Sequence, residues 1–437
     1  MQRIQVLAVM AFLCSLCFIF LYSSLTLQQD HRHRALSEVS VNSRPEARFE
    51  TLSSKPVPTY PRLTPTKDSQ ISVPIQFTVT PTPVLKQAAV FAAIKKAIPK
   101  NTAYWNRMIY SGIEQLDKGG NSTRPEGLDW SHCRHNPEQL RTNIHDFTSY
   151  PELHQDFLNG MECRNPPILI DQPEKCISGD GKTFLLFAIK STPRNFEQRQ
   201  VVRETWGREA VYEREVRVRT VFLLGSSSLD EPDLSQLLGL EARLHGDLLQ
   251  WDFHDSFFNL TLKEHVFYNW VLNRCSNVSF VFKGDDDVLA NTKAILGYLQ
   301  SLEPNKTSTL YLGQIISTAS PLRDSKSKYY IPLTFYDGPY PAYAGGGGYL
   351  FSGSLIRSLY SVSKFLPFYP IDDVYSGMCF NALGILPEAH DGFQTFDIRE
   401  QDRENPCAHK NLLLVHRRSP REIIRLLRSI RNPQLIC

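Results

Sequence analysis

Between residues 183 and 288, short apolar segments alternate with segments of helical spacing, and the series ends in three consecutive carboxylates. Residues 183–189, 216–224, 248–253 and 278–282 read as strands. Residues 197–206, 233–244 and 260–273 read as helices, the last of them amphipathic. This order argues for parallel βαβ units. The fold class expected is α/β, with a nucleotide-binding half. The final strand runs Val278-Ser-Phe-Val-Phe-Lys-Gly and then delivers Asp285, Asp286 and Asp287. Three adjacent like charges repel, so something positive belongs beside them. A divalent cation with hard oxygen ligands answers that demand. In α/β sheets ligands bind beyond the carboxyl ends of strands, where a metal-bridged nucleotide diphosphate fits. Asp287 is the expected direct ligand, and Asp285 is placed to meet ribose hydroxyls.

The chain has 437 residues and a formal net charge of +3, with acids and bases interspersed, and gives no reason to invoke nucleic acid. Arg417, Arg418, Arg421, Arg425, Arg428 and Arg431 have helical spacing in part and read as a solvated helix face. Residues 1–3 form a short tail. Residues 4–27 are mostly apolar and meet the roughly 20 residues that a membrane span requires. They are read as an uncleaved anchor rather than a signal peptide. Residues 28–100 are rich in Pro, Ser and Thr and read as an extended stem, with a short helix over 88–98. The ordered body is expected over 101–437. Sequons at Asn121, Asn259, Asn277 and Asn305 make it lumenal. Of nine cysteines, Cys14 and Cys17 lie in the anchor; the other seven sit where disulfides form, and an odd number leaves at least one unpaired within the chain.

Four further constellations carry chemistry. His416 ends the apolar run 412–415 and is a second candidate metal ligand, since neutral imidazole suits Mn²⁺ better than Ca²⁺. Lys190 follows the first strand, and Arg199 and Arg203, four residues apart, share a helix face suited to phosphate or uracil. Tyr343 and Tyr349 flank four glycines, Gly345 to Gly348, whose backbone at Gly346 and Gly347 allows close approach of a ligand while the aromatic faces suit a pyranose; Tyr329 and Tyr330 are candidates for the same cleft. Asp372 and Asp373 precede a helix expected to start near 376. An attacking hydroxyl needs a base, and Asp373 is the candidate, with Asp372 beside it on the acceptor side.

In order along the chain stand Phe184-Leu-Leu-Phe-Ala-Ile-Lys190, Arg199-Gln-Val-Val-Arg203-Glu-Thr-Trp-Gly207, Val221-Phe-Leu-Leu-Gly225, Phe257-Phe-Asn-Leu-Thr-Leu-Lys-Glu264, Phe282-Lys-Gly-Asp-Asp-Asp-Val288, Tyr343-Ala-Gly-Gly-Gly-Gly348 and Tyr369-Pro-Ile-Asp-Asp-Val374. The set resembles the β-1,3-glycosyltransferase family, in the branch of N-acetyllactosaminide β-1,3-N-acetylglucosaminyltransferases that extend polylactosamine. The resemblance implies a GT-A fold with a mixed, mainly parallel sheet, an inverting Mn²⁺-dependent reaction and a type II Golgi membrane protein. It implies UDP-N-acetylglucosamine as donor; Asp285, Asp286, Gly346 and Gly347 are the candidates read from the residues for the donor side. The implied acceptor is a terminal β-galactose on a glycoprotein or glycolipid. It implies Asp287 and His416 as metal ligands and Asp373 as base. Self-association, or association with other glycosyltransferases, is left open. Leu289-Ala290 departs from the Phe-Val that relatives usually carry after Asp-Asp-Asp-Val. The competing readings are a β-1,3-galactosyltransferase using UDP-galactose, and a catalytically silent Golgi lectin or chaperone.

Overall fold

The computed structural model describes residues 87–117, 128–130, 133, 137–177, 183–212, 216–228 and 230–437. The tail, the anchor, the stem up to residue 86 and Asn121 lie outside the described residues. Among those described, no helix is long and apolar enough to cross a membrane.

The centre is a nine-stranded sheet. Its strands are β1 (Ile168–Ile170), β2 (Thr183–Lys190), β3 (Ala210–Tyr212), β4 (Val216–Ser226), β5 (Leu248–His254), β6 (Phe280–Asp285), β7 (Tyr311–Gly313), β8 (Gly348–Ser352) and β9 (Glu388–Ala389). They lie in the order β9-β7-β8-β6-β2-β4-β5-β1, with β3 paired to β4. β2, β4, β5, β6, β7 and β9 run one way and β1, β3 and β8 the other, so the sheet is mixed and mainly parallel. Its central strands are apolar on both faces because helices cover both. Leu186 and Ala188 of β2 point into one core, with α3 (Leu260–Arg274), α4 (Ile356–Phe365) and α5 (Asp372–Ala382). Leu185, Phe187 and Ile189 point into the other, with α1 (Phe196–Glu204), α2 (Ser235–His245) and α6 (Pro420–Ile430).

Several expectations change. The helix over 260–273 is not amphipathic: Thr261 to Tyr268 are all buried. Its polar side chains find partners inside the protein, as Lys263 does with Asp255 at 2.7 Å, so no solvated stripe is needed. The helix Gln87–Ala97, expected within the stem, packs Val90, Phe91 and Ile94 into the core, so the folded body begins before residue 101. The strand expected over 278–282 runs instead from Phe280 to Asp285, and the helix Thr292–Ser301 is capped by Asn291. α5 begins at Asp372, putting both aspartates in its first turn, where the positive end of the helix dipole favours them. Arg421, Arg425 and Arg428 occupy the exposed face of α6, but Arg417 and Arg418 precede it and Arg418 is fully buried.

Disulfides join Cys133 to Cys163, Cys176 to Cys275 and Cys407 to Cys437, which among the described residues leaves Cys379 as a buried thiol. Asn277 and Asn305 are exposed, whereas Asn259 is half-buried and its Nδ2 donates to the His254 carbonyl at 2.9 Å.

Candidate active site

The parallel register of β2 and β6 sets Lys190 beside Asp285 at the carboxyl edge of the sheet. The chain then turns, and Leu289–Ala290 pairs antiparallel with Leu414–Val415. Asp287 stands two residues before one strand and His416 one after the other, so this pairing brings them together. Both backbones are held: Arg418 N–H donates to the Asp287 carbonyl at 2.7 Å, and His416 N–H to that of Gln394 at 3.1 Å. Ligand atoms of Asp285, Asp287 and His416 lie within 4.8 Å of one another. His416 Nε2 is 3.2 Å from Asp287 Oδ1 and 3.6 Å from Asp285 Oδ2. Asp287 Oδ1 is buried and makes no hydrogen bond. His416 Nδ1 lies 2.9 Å from the Thr395 carbonyl, an acceptor, which places a proton on Nδ1 and leaves Nε2 facing the carboxylates. Against its burial, His416 binds protons more strongly than a free imidazole because Asp287 and Asp285 face it. Two carboxylates and one imidazole, with an orphan oxygen among them, suit a divalent transition-metal ion.

Asp373 faces the same cleft from the first turn of α5. Its Oδ2 accepts from Gly346 N–H at 2.9 Å and its Oδ1 from Val374 N–H at 2.8 Å. Burial, and then the neighbouring Asp372, raise its pKa to about 7. Asp372 moves the opposite way. Burial alone would push it up, but Lys190 at 3.0 Å and Lys283 at 3.2 Å hold it well below the usual carboxylate range. Two adjacent carboxylates are thereby split into a permanent anion and a group able to take a proton near neutrality.

That split rests on an alternating chain of buried charges. Glu264 pairs with Lys283 at 2.5 Å, Lys283 with Asp372, Asp372 with Lys190, and Lys190 with Asp285 at 2.9 Å. Glu264 also accepts from Ser376 Oγ at 2.7 Å and Tyr349 OH at 3.1 Å. Every member is compensated, as burial of charge requires.

A family model described as Galactosyltransferase matches residues 197–391. N-acetyllactosaminide beta-1,3-N-acetylglucosaminyltransferase 2 of Mus musculus is 46% identical over 349 residues, 77% of this chain and 86% of that protein. Its Homo sapiens counterpart is 44% identical over 347 residues, with the same shares. The chain belongs to the β-1,3-glycosyltransferase family. The Homo sapiens acetylgalactosaminyl-O-glycosyl-glycoprotein beta-1,3-N-acetylglucosaminyltransferase is 40% identical over 301 residues, covering 67% of this chain and 77% of that one. Among solved structures, mouse xyloside xylosyltransferase 1 aligns with a TM-score of 0.27 at 12% identity, over 54% of this chain and 98% of that chain.

In this glycosyltransferase the cleft is lined by Lys190, Asp285, Asp286, Asp287, Tyr329, Gly345 to Gly347, Asp372, Asp373 and His416. Arg199 and Arg203 are not among the lining. Arg199 is fully buried and pairs with Glu241 at 2.7 Å; Arg203 pairs with Glu241 and with Asp247, each at 2.7 Å. A phosphate there would have to displace carboxylates already bound. Arg199 instead holds the loop after β2, through Ser191 Oγ at 3.2 Å and the Thr192 carbonyl at 2.6 Å. Asp286 also serves that loop, its Oδ2 accepting from Ser191 Oγ at 2.6 Å and Asn195 Nδ2 at 2.9 Å; burial raises its pKa to about 6. Tyr330 turns away to pack edge-on against His154, and Tyr343 is buried behind the glycine turn. Tyr329 reaches the cleft beside Phe257, under Lys328.

The glycine turn is tight against the protein itself. A Cβ on Gly346 would lie 3.0 Å from Asp373 Oδ2, and one on Gly347 would lie 2.7 Å from Thr395 Oγ1 and 2.9 Å from His416 Nδ1. These glycines let the turn pass between Asp373 and His416. Thr395, Asn195 and Phe396, which is 61% exposed at the rim, were not singled out in the sequence; only their neighbours carry a local pattern.

Proposed function

We propose that this enzyme moves N-acetylglucosamine from UDP-N-acetylglucosamine to the 3-hydroxyl of a terminal β-galactose, extending N-acetyllactosamine chains on glycoproteins or glycolipids. The names of its relatives, at 44–46% identity over most of both chains, carry the sugar assignment. The orphan carboxylate oxygen of Asp287 beside His416 Nε2 supports a metal site. The reading is of a GT-A-type enzyme. Asp285, Asp287 and His416 would hold Mn²⁺, which when bound supplies charge neutralisation for the departing diphosphate.

The protein's own groups do the rest. Asp373 takes the proton from the galactose 3-hydroxyl. That oxygen forms a bond to the anomeric carbon on the face opposite UDP, while the anomeric carbon–oxygen bond breaks and its electron pair leaves with UDP. An α-linked donor thus gives a β-linked product. Gly346 N–H and Val374 N–H fix both oxygens of Asp373, so the base does not rotate away from its acceptor. Asp372, clamped by two lysines, keeps Asp373 a base rather than a strong acid.

The same reading makes the chain a single-pass type II Golgi protein. Residues 4–27 are its anchor, a Pro-, Ser- and Thr-rich stem follows, and the body is lumenal. The three disulfides support an oxidising compartment. A second reading, β-1,3-galactosyl transfer, is favoured by the description of the matching family model. A matrix of UDP-sugars against galactose- and N-acetylglucosamine-terminated acceptors separates the two. Transfer from UDP-N-acetylglucosamine to β-galactose is expected, and transfer from UDP-galactose alone sinks the donor assignment.

A further inference from the structure

We propose that Arg417 binds the terminal phosphate of the donor's diphosphate, held in position by a strained backbone corner built for that purpose. The inference rests on the metal–UDP reading of the cleft and adds a residue to it.

Charge is the first argument. The lining holds four Lys or Arg side chains. Lys190 is paired with Asp285 and Asp372, and Lys263 with Asp255. Lys328 lies over the rings of Phe257 and Tyr329, at 5.2 and 4.8 Å. Arg417 is exposed, and among the described residues no carboxylate pairs with its guanidinium. Asp285 and Asp287 match the charge of one divalent ion, and Asp372 matches Lys190. Arg417, which adjoins His416 in the lining and has no carboxylate partner among the described residues, is placed to meet the negative charge on UDP that the metal does not offset. A guanidinium offers paired donors matched to phosphate oxygens.

Backbone conformation is the second argument. Arg417 has φ 60°, and the other described non-glycine residue at positive φ is Asp397, at 77°. One cluster joins these two outliers. Arg418 Nη2 reaches Asp397 Oδ1 at 2.7 Å, and Arg418 Nη1 donates to the Arg417 and His416 carbonyls at 3.1 Å each. Arg403 pairs with Asp397, donates to the Arg417 carbonyl and pairs with Glu422 at 3.0 Å. Glu422 in turn completes the capping box of α6 with Ser419. Left-handed backbone at a non-glycine residue persists where surrounding contacts over-determine it, and such outliers gather at ligand sites. Here the contacts fix the direction in which the chain leaves His416, and so the side from which Arg417 projects.

The test is Mn²⁺-dependent binding of UDP and of UMP to the full chain by titration calorimetry, beside melting temperature and donor KM and kcat. Arg417→Ala is expected to weaken UDP about tenfold or more and leave UMP, which lacks the terminal phosphate, unchanged; Arg417→Lys should recover most of the loss. Arg417→Gly is the discriminating variant. Glycine relieves the left-handed strain, so its melting temperature should match or exceed that of the unaltered chain while UDP binding falls as in Arg417→Ala. UDP binding and kcat/KM unchanged in Arg417→Ala overturn the proposal, as does an equal loss of UDP and UMP accompanied by a lower melting temperature. If the unaltered chain binds no UDP with Mn²⁺, the donor reading itself fails, and this contact with it.

Discussion

The charges at and behind the cleft follow two opposite rules. Around Asp373, Glu264, Lys283, Asp372 and Lys190 form a series in which every buried charge meets its opposite within the protein. Around Asp287, its Oδ1 has no hydrogen-bond partner, His416 Nε2 faces two carboxylates, and Arg417 stands exposed. A saturated network fixes positions and pKa values before any ligand arrives. An unsaturated corner keeps its free energy for the ligand that completes it. The difference teaches which parts tolerate change: the first should fail by losing structure or its pH setting, the second by losing affinity.

The largest effect is expected at the one residue that uses the saturated half chemically. Asp373→Asn should lower kcat by about 10²–10⁴-fold, the usual contribution of a general base, with little change in melting temperature. Initial-rate kinetics decide it, and near-normal turnover removes Asp373 as base. Lys283→Met comes next. It leaves Glu264 and Asp372 facing each other without their shared cation, and removing one partner of a buried pair costs about 3–5 kcal/mol. Denaturant unfolding should show that loss; a change under about 1 kcal/mol breaks the description of this half as a coupled network.

A smaller effect is expected from pH. Asp373 accepts a proton only when ionised, and its pKa is raised to about 7. Activity should therefore rise with pH through that region, falling about tenfold per unit below it. Asp372→Asn removes the adjacent negative charge and should shift the limb to lower pH. A limb near the ordinary carboxylate value of about 4 in the unaltered enzyme contradicts the assignment. The smallest effect is on the solvated face of α6, where Arg421→Gln should change stability by no more than about 0.5 kcal/mol and leave kinetics unchanged.

Which parts were legible in the sequence follows the same division. The alternation of strands and helices and the Asp triplet at a strand's end are local patterns, and each sits in the structure where those patterns put it; the acidic pair lies within the first turn of α5 instead of ahead of the helix. Arg199 and Arg203 do share one helix face, but that face meets Glu241 and Asp247, which come from a segment far along the chain. No local pattern says which way an amphipathic face turns. The glycine turn was expected to make room for a ligand, yet it is tight against Asp373, Thr395 and His416. The helix Leu260–Arg274 carries polar residues that resemble a solvent stripe but are internal charges of the network. By local pattern His416 is a histidine ending an apolar run, and the family resemblance is what marks it as a ligand; the pairing of Leu289–Ala290 with Leu414–Val415 brings it to Asp287.

The division of labour between the halves is tested most directly by Mn²⁺-dependent UDP binding in two variants measured side by side. Asp287→Ala should lose that binding by at least tenfold, while Asp373→Asn should bind UDP within about twofold of the unaltered enzyme yet fail to transfer sugar. Comparable loss of UDP binding in both variants, or undiminished binding in Asp287→Ala, would contradict it.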